Sequence, residues 1–383
     1  MILRADRINN IEEYYFSKKL KEVVSLEKEG RLIINMAVGN PDLSPDKTVI
    51  DALRKGLSHS KANMYQSYQG LPELRKAIAD FYKYHYNVEL DYNRQILPLM
   101  GSKEGIMHIS MAFLNKGDKV LIPNPGYPTY TSVTKILEAE PIYYDLVEND
   151  NWQPDWRLLD SIDTKRIKMM WINYPNMPTG AKTVLDTFDR LIDWAKSRKI
   201  ILVNDNPYSF ILNDNPESIL SRKGAFEVCL ELNSLSKTFN MAGWRVGMLS
   251  GNQNFIKDVL KIKSNMDSGM FYGIQKGAIA ALNLKKNWFK SLNEVYLKRR
   301  EIVYELALKL NTQFDRNTVG LFVWAKLPKT IKSSEKFIDE VLYNYNIFIA
   351  PGSIFGSQGS RFIRFSLCID EKLIKTAIKR LTK

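Results

Sequence analysis

The chain has 383 residues, a length that accommodates a large hydrophobic core and two domains. Hydrophobic residues make up 45% and charged residues 25%, as in ordinary globular proteins, and the formal net charge is +13. The basic residues are spread along the chain without a run of five or six like charges, so we expect a lysine-rich surface and no nucleic-acid partner. The sequence has no apolar run of membrane-spanning length and no signal-peptide pattern, so we expect no membrane partner and a cytoplasmic location.

The cysteines and histidines give no sign of metal binding. Neither Cys229 nor Cys368 lies in a CxxC motif, and the three histidines lack the spacing of metal ligands. The sequence therefore predicts neither a disulfide framework nor a metal site.

Short apolar segments alternate with amphipathic ones between about residues 95 and 250. The predicted strands span 96–99, 119–122, 141–144, 168–173, 200–204 and 228–232. The predicted helices span 102–115, 129–137, 184–199 and 252–263. This alternation predicts an α/β domain with a mostly parallel central sheet flanked by helices. Ligands of such sheets bind at the carboxyl ends of the strands.

The pattern changes in the last hundred residues. We expect a long charged helix over 288–310, a strand over 321–325, a helix over 334–345, short strands near 347–349 and 362–366, and a final helix from residue 371. We interpret this part as a smaller α+β domain on which the first 45 residues pack. The predicted domains are therefore 46–285 for the large one, and 1–45 with 286–383 for the small one.

The most informative segment is SLSKTFNMAGWRVG, residues 234–247. It places Lys237 between hydroxyl residues and Arg245 eight positions later, between two glycines. A lysine that forms a Schiff base with an aldehyde cofactor needs a confined site, and a cofactor phosphate needs hydroxyl and guanidinium partners. The segment resembles the lysine motif of the class I/II aminotransferases, which use pyridoxal phosphate (PLP). The resemblance extends from Gly39 to Arg364 and looks closest to the aspartate and LL-diaminopimelate aminotransferase branches.

This resemblance implies PLP fold type I and three catalytic residues. Lys237 would hold the PLP aldehyde and move the proton between substrate and cofactor. Asp205 follows the apolar segment 200–204, at the carboxyl end of a predicted strand, and would contact the pyridine nitrogen. Tyr208, three residues later, would contact the phenolate oxygen.

Further motifs would hold the rest of the cofactor. The turn at Gly101, Ser102 and Lys103 follows a strand and opens a helix, whose free backbone amides favour an anion. The resemblance implies four more cofactor contacts. Ser234 and Arg245 would bind the phosphate, with Ser236 as a further candidate, and Tyr127 would stack on the ring.

The resemblance also implies substrate contacts and a homodimer. Arg364 would pair with the substrate carboxylate through its planar fork, with Arg361 as the second candidate. Gly39 resembles the segment that covers this carboxylate. Tyr65 resembles the tyrosine that reaches the phosphate of the neighbouring subunit, which implies shared active sites.

One position departs from the family pattern. The family has an asparagine immediately before Pro-Thr-Gly that bonds the phenolate oxygen, whereas this chain has Met177 there. A thioether cannot donate a hydrogen bond. Either Asn176 makes this contact instead, or Tyr208 acts alone on that oxygen.

The sequence thus predicts a PLP-dependent aminotransferase that moves an amino group from an L-amino acid to a 2-oxo acid. A dicarboxylic donor, such as aspartate, glutamate or LL-diaminopimelate, fits this resemblance. A PLP-dependent C–S β-lyase is the alternative among enzymes, because the same lysine and aspartate serve that reaction. The alternative outside enzymes is a PLP-fold regulatory protein, which would need an added DNA-binding domain for which we expect no room.

Overall fold

The computed structural model describes residues 2–11, 13 and 15–382. In chain order, its strands are β1 (Ile34–Asn35), β2 (Ile96–Leu99), β3 (Lys119–Asn124), β4 (Glu140–Val147), β5 (Gln153–Pro154), β6 (Ile167–Ile172), β7 (Ile201–Asp205), β8 (Cys229–Ser234), β9 (Gly247–Gly251), β10 (Gln313–Phe314), β11 (Phe322–Lys326), β12 (Ile347–Phe348), β13 (Ala350–Pro351) and β14 (Phe362–Ser366). Its helices are α1 (Tyr15–Lys28), α2 (Lys47–Leu57), α3 (Pro72–Tyr86), α4 (Ser102–Phe113), α5 (Pro128–Ile136), α6 (Trp156–Ser161), α7 (Leu185–Arg198), α8 (Ala225–Val228), α9 (Leu235–Thr238), α10 (Gln253–Lys263), α11 (Tyr272–Leu282), α12 (Lys286–Lys309), α13 (Ser334–Tyr345) and α14 (Glu371–Leu381).

The largest sheet has eight strands in the order β2-β9-β8-β7-β6-β3-β4-β5. Strands β4, β3, β6, β7 and β8 run parallel, whereas β5 and β9 run antiparallel to their neighbours. Strands β3, β6 and β7 are almost entirely buried, which explains why they consist largely of apolar runs rather than alternating residues. This architecture confirms the predicted α/β class, with a mostly parallel sheet between helices.

Two smaller sheets form the second part of the molecule. An antiparallel sheet has the order β10-β11-β14-β13, and β1 pairs with β12 in parallel, with Ile34 opposite Ile347. The N-terminal strand β1 therefore packs with the C-terminal third of the chain. The domain boundaries at residues 45 and 285 stay a prediction.

The predicted elements of the large sheet agree with the structure to within a few residues at each end, and the long helix predicted over 288–310 is α12. Helices α1, α2, α3 and α11 and strand β9 were not predicted. Among the described residues, the helices are all too short or too polar to cross a lipid bilayer.

Candidate active site

A cavity of about 550 Å³ lies at the carboxyl edge of the central sheet, where that sheet faces the small antiparallel one. Strands β6, β7 and β8 end at this edge, and the cavity also reaches β11 and β14. Most of the site residues predicted from the sequence line it: Gly39, Ser102, Lys103, Tyr127, Asp205, Tyr208, Ser234, Ser236, Lys237, Arg245 and Arg364. The fold thus brings together side chains that are up to 325 residues apart in sequence.

Lys237 lies on the short helix α9, directly after the end of β8. Ser234 caps this helix, since its Oγ accepts a hydrogen bond from the backbone amide of Ser236 at 3.1 Å. The Lys237 Nζ donates to the carbonyl oxygen of Gly39 at 2.6 Å. Burial is the main cause that lowers the pKa of the lysine amine, and the nearby charges of Arg364 and Arg245 act in the same direction. A lowered pKa favours the neutral amine, which is the nucleophilic and basic form.

Asp205 is the last residue of β7, and only 6% of it is exposed. Its Oδ2 accepts a hydrogen bond from the Tyr130 hydroxyl at 2.8 Å, whereas its Oδ1 is buried and has no hydrogen-bond partner among the described residues. Burial raises the pKa of this carboxyl to about 6, and the Tyr130 bond partly opposes that effect. A buried carboxylate oxygen without a donor fits the protonated ring nitrogen of PLP.

Two residues that support Asp205 were not assigned from the sequence. Tyr130 stacks on Trp171 with ring centroids 4.8 Å apart, which fixes the hydroxyl toward the carboxylate. Asn173 follows the end of β6 and donates from Nδ2 to the main-chain carbonyl of Asp205. Two signals in the sequence were available: Tyr130 lies one helical turn after Tyr127, and Asn173 ends a strand beside Asp205.

At one end of the cavity, hydroxyl and cationic side chains lie close together. The Oγ atoms of Ser234 and Ser236 are 2.8 Å apart and hydrogen-bonded. Arg245 donates from Nη1 to the Ala242 carbonyl at 2.9 Å. Gly101 has φ 92°, and a Cβ atom there would lie 2.1 Å from Nη2 of Arg245, so a glycine is required for the guanidinium to occupy this place. Together with Ser102 and Lys103, this end offers the donors that a phosphate needs.

Of the two candidate arginines, only Arg364 lines the cavity. Its Nη2 donates to the Ala37 carbonyl at 2.8 Å, and its Nη1 lies 3.2 Å from Sδ of Met177. Its guanidinium also stacks on the Phe322 ring, 3.9 Å from the centroid. Arg361 instead donates to two main-chain carbonyls at the end of β11 and does not line the cavity.

Two tyrosines complete the cavity wall. Tyr127 directly precedes α5, and its ring is perpendicular to that of Tyr130 at 5.6 Å. Tyr208 packs edge-on against Phe322 at 5.8 Å. Burial raises the pKa of the Tyr208 hydroxyl, which therefore stays protonated and able to donate at neutral pH.

The structure places Asn176 away from the cavity. Its side chain is buried in its own turn, where Nδ2 donates to the Asn173 carbonyl and Oδ1 accepts from the Thr179 hydroxyl at 2.7 Å. It does not line the cavity, whereas Met177 does. This arrangement gives no support to Asn176 as a replacement for the amide that the family has at position 177, and that role stays a prediction.

Tyr65 lies outside the cavity and is 91% exposed. Within one chain it thus makes no contribution to this site. A role in the site of a second subunit stays a prediction.

Comparison with known proteins agrees with this geometry. The profile of the family described as Aminotransferase class I and II matches residues 31–381. An LL-diaminopimelate aminotransferase of Halothermothrix orenii is 38% identical over 379 residues, which cover 98% of this chain and 97% of the relative. One from Aquifex aeolicus is 37% identical over 382 residues, 98% of each chain.

Solved structures give the same result. Substrate-bound BacF from Bacillus subtilis has a TM-score of 0.94 at 33% identity, with 99% of this chain and 97% of that chain covered. An aminotransferase from Staphylococcus aureus has a TM-score of 0.90 at 31% identity, with 99% and 98% covered.

The chain therefore belongs to the class I and II aminotransferases. It is a PLP-dependent enzyme that transfers an amino group from an L-amino acid to a 2-oxo acid, and it has PLP fold type I, as predicted. The transferase names of the curated relatives favour transamination over the C–S lyase and regulatory alternatives.

Proposed function

We propose that this aminotransferase acts through Lys237, Asp205 and Tyr208, and that it takes a dicarboxylic amino donor. The observation that carries the residue roles is the shared cavity, in which the Lys237 amine, the unpartnered oxygen of Asp205 and the Arg364 guanidinium lie together. PLP, when bound, supplies an aldehyde and a ring that accepts electrons from the substrate.

The residues would divide the work among them. Lys237 would hold the cofactor through Nζ, and its free amine would carry the proton that leaves the substrate Cα. Asp205, ionised beside the ring nitrogen, would keep a proton on it. Tyr208 would donate its hydroxyl hydrogen to the phenolate oxygen, and Tyr127 would cover the ring face. Ser102, Ser234, Ser236 and Arg245 would bind the phosphate, with Lys103 and the turn at Gly101 beside them.

The charge of the cavity supports an anionic substrate. Among the described residues, three cationic side chains and one carboxylate line it, namely Lys103, Arg245, Arg364 and Asp205, together with the Lys237 amine, whose pKa is lowered. Arg245 and Lys103 would face the phosphate, which leaves Arg364 for a substrate carboxylate. The curated relatives are named for LL-diaminopimelate, which carries two carboxylates, so we rank it first among the donors, before aspartate and glutamate.

A donor screen tests this ranking. Holoenzyme is mixed with single amino acids, without an oxo-acid acceptor, and the loss of the absorbance of the lysine-bound cofactor is followed. We expect LL-diaminopimelate to give the fastest loss at equal concentration. Faster loss with a monocarboxylic donor, such as alanine or phenylalanine, would contradict the dicarboxylic proposal without affecting the roles of Lys237 and Asp205.

Replacing Arg364 by lysine is expected to raise the KM for the amino donor roughly 10- to 100-fold, because a charge-assisted hydrogen bond is worth about 1.5–3 kcal/mol and lysine lacks the planar fork. We expect kcat to change less than KM. Steady-state kinetics at several donor concentrations measures both. R361K is the matched control, since Arg361 bonds only main-chain carbonyls among the residues that the structure describes. Equal KM effects in both variants would contradict the assignment.

We further propose that the enzyme is a cytoplasmic homodimer whose subunits share their active sites, with residues 46–285 as its large domain. An exposed apolar surface supports the dimer: Met64, Tyr65, Met266 and Phe271 are 63%, 91%, 58% and 42% exposed. The two segments that carry them are adjacent, since Gly269 packs against the backbone of residue 66. A surface of this kind is typical of an interface between subunits.

Mixing two defective variants tests the shared sites. K237A and Y65A are each expected to be impaired as homodimers. After denaturation and refolding together, half of the dimers combine both chains, and each such dimer has one site with native Lys237 and native Tyr65. We therefore expect recovery of about a quarter of the wild-type activity. No recovery above the sum of the separate variants, while size-exclusion chromatography shows mixed dimers, would exclude shared sites.

A further inference from the structure

Residues 36–44, here called the crossing segment, connect the small sheets with the active-site cavity. The carbonyl of Met36 accepts from the backbone amide of Ser366 at 2.7 Å, so the segment begins on β14. At its other end, the Ser44 carbonyl accepts from Nδ2 of Asn240 at 3.2 Å, in the loop after α9. Gly39 lies in the middle and faces the cavity.

Asp42, three residues after Gly39, anchors the crossing segment through a bidentate ion pair with Arg299. The two nitrogen–oxygen distances are 2.7 and 2.8 Å. Arg299 lies on α12 and is only 4% exposed, and its Nη1 also donates to the Leu367 carbonyl at 3.0 Å. A planar fork that bonds both carboxylate oxygens fixes the orientation as well as the distance of its partner.

The Gly39 carbonyl has little freedom between these anchors. A Cβ atom on Gly39 would lie 2.4 Å from Cζ of Phe322, so the ring packs directly on the backbone. On one side Arg364 holds the Ala37 carbonyl, and on the other Arg299 holds Asp42. The Lys237 amine donates to the carbonyl between them at 2.6 Å.

We propose that Asp42 and Arg299 are a positioning pair that fixes the Gly39 carbonyl against Lys237 and thereby orients the lone pair of its amine. This inference depends on the proposed role of Lys237 as the base. In that step the substrate Cα–H bond breaks, the proton joins the Lys237 Nζ, and the electron pair remains with the substrate carbon. One N–H fixed on a rigid carbonyl limits rotation about the Cε–Nζ bond, so the lone pair is restricted to the two remaining staggered directions.

An ion pair that only stabilises the fold, here called a brace, would behave differently. Loss of such a brace lowers the melting temperature and the fraction of active protein, but it leaves the proton-transfer barrier unchanged relative to the barriers of the other steps. Loss of a positioning pair slows proton transfer specifically. The kinetic isotope effect with an α-deuterated amino donor therefore separates the two roles.

The test uses D42N and R299K as holoenzymes, with D189N as the matched control. Asp189 also makes a two-point ion pair with an arginine, Arg222, but neither residue lines the cavity. We expect D42N to lower kcat about 10-fold with KM changed less than threefold, since small misplacements of a catalytic group cost up to about 10²-fold. The deuterium isotope effect on kcat should rise in D42N and R299K and stay at the wild-type value in D189N.

Three outcomes would overturn the proposal. The first is an unchanged isotope effect in both D42N and R299K. The second is the same kinetic change in D189N, and the third is failure of both pair variants to fold, which would make the pair a brace. The proposed function is tested separately, by transamination of the wild type and by mapping the cofactor to Lys237. If both of these succeed, any of the three outcomes contradicts only the positioning role of Asp42 and Arg299.

Discussion

The K237A variant is expected to transaminate at least about 10⁴-fold more slowly than the wild type, because it loses both the covalent link to PLP and the proton carrier, and acid–base catalysis alone contributes roughly 10²–10⁴-fold. The amine is half-buried in the cavity and has a lowered pKa, so no solvent-exposed lysine reproduces its reactivity. Single-turnover measurement with an amino donor, followed by cofactor absorbance, gives the rate.

Lys103 is the matched control, as it is the other lysine among the described residues that line the cavity. Borohydride reduction of the holoenzyme followed by peptide mapping should find the cofactor on the peptide with residue 237 in both the wild type and K103R. K237A should carry no adduct there. An adduct on residue 103 in the wild type would contradict the assignment of Lys237 and, with it, most of the proposed mechanism.

The D205N variant is expected to change activity and stability in opposite directions. Activity should fall roughly 10²–10³-fold, as when a preorganised electrostatic partner is removed from other active sites, because an amide cannot keep a proton on the ring nitrogen. The cofactor-free protein should become more stable. Burial of Asp205 raises its pKa from the ordinary 3.8 to about 6, so the ionised carboxylate destabilises the folded state.

The pH dependence follows from the sign of this pKa difference. Above pH 6 the ionised carboxylate lowers the free energy of unfolding by about 3 kcal/mol, which corresponds to the pKa difference between 3.8 and about 6. As the pH falls through 6 toward 4, the carboxyl takes up a proton and this destabilisation disappears. Urea unfolding of cofactor-free wild type and D205N at pH 8 and pH 4.5 measures it. A stability gain of equal size at both pH values, or no gain at pH 8, would contradict the prediction.

The sequence contained enough information for the central sheet and for most of the site. Strands such as β6 and β7 are apolar runs, and the carboxyl-edge rule places Asp205 and Ser234 near each other without any knowledge of side-chain contacts. The lysine motif is local in sequence, so its recognition needs no tertiary information. Helices α2, α3 and α11 were not predicted, although α2 and α3 have the amphipathic pattern of surface helices; α11 contacts both of them in the structure.

The residues that the sequence did not reveal act through distant neighbours. Tyr130 matters because Asp205 lies 75 residues later, and Arg299 because Asp42 lies 257 residues earlier. The sequence likewise did not show that Asn176 bonds its own turn while its neighbour Met177 lines the cavity. Local sequence patterns cannot reveal pairs of residues this far apart, because many other residues would fit the same patterns equally well.

The pairing of Ile34 with Ile347 has a consequence for synthesis on the ribosome. Strand β1 leaves the exit tunnel more than three hundred residues before its partner β12, and the cavity includes Phe16 as well as Arg364. We expect a nascent chain interrupted between the two strands to expose unpaired apolar surface and not to bind PLP. Fragments released early are therefore substrates for chaperones and proteases rather than partly active enzyme.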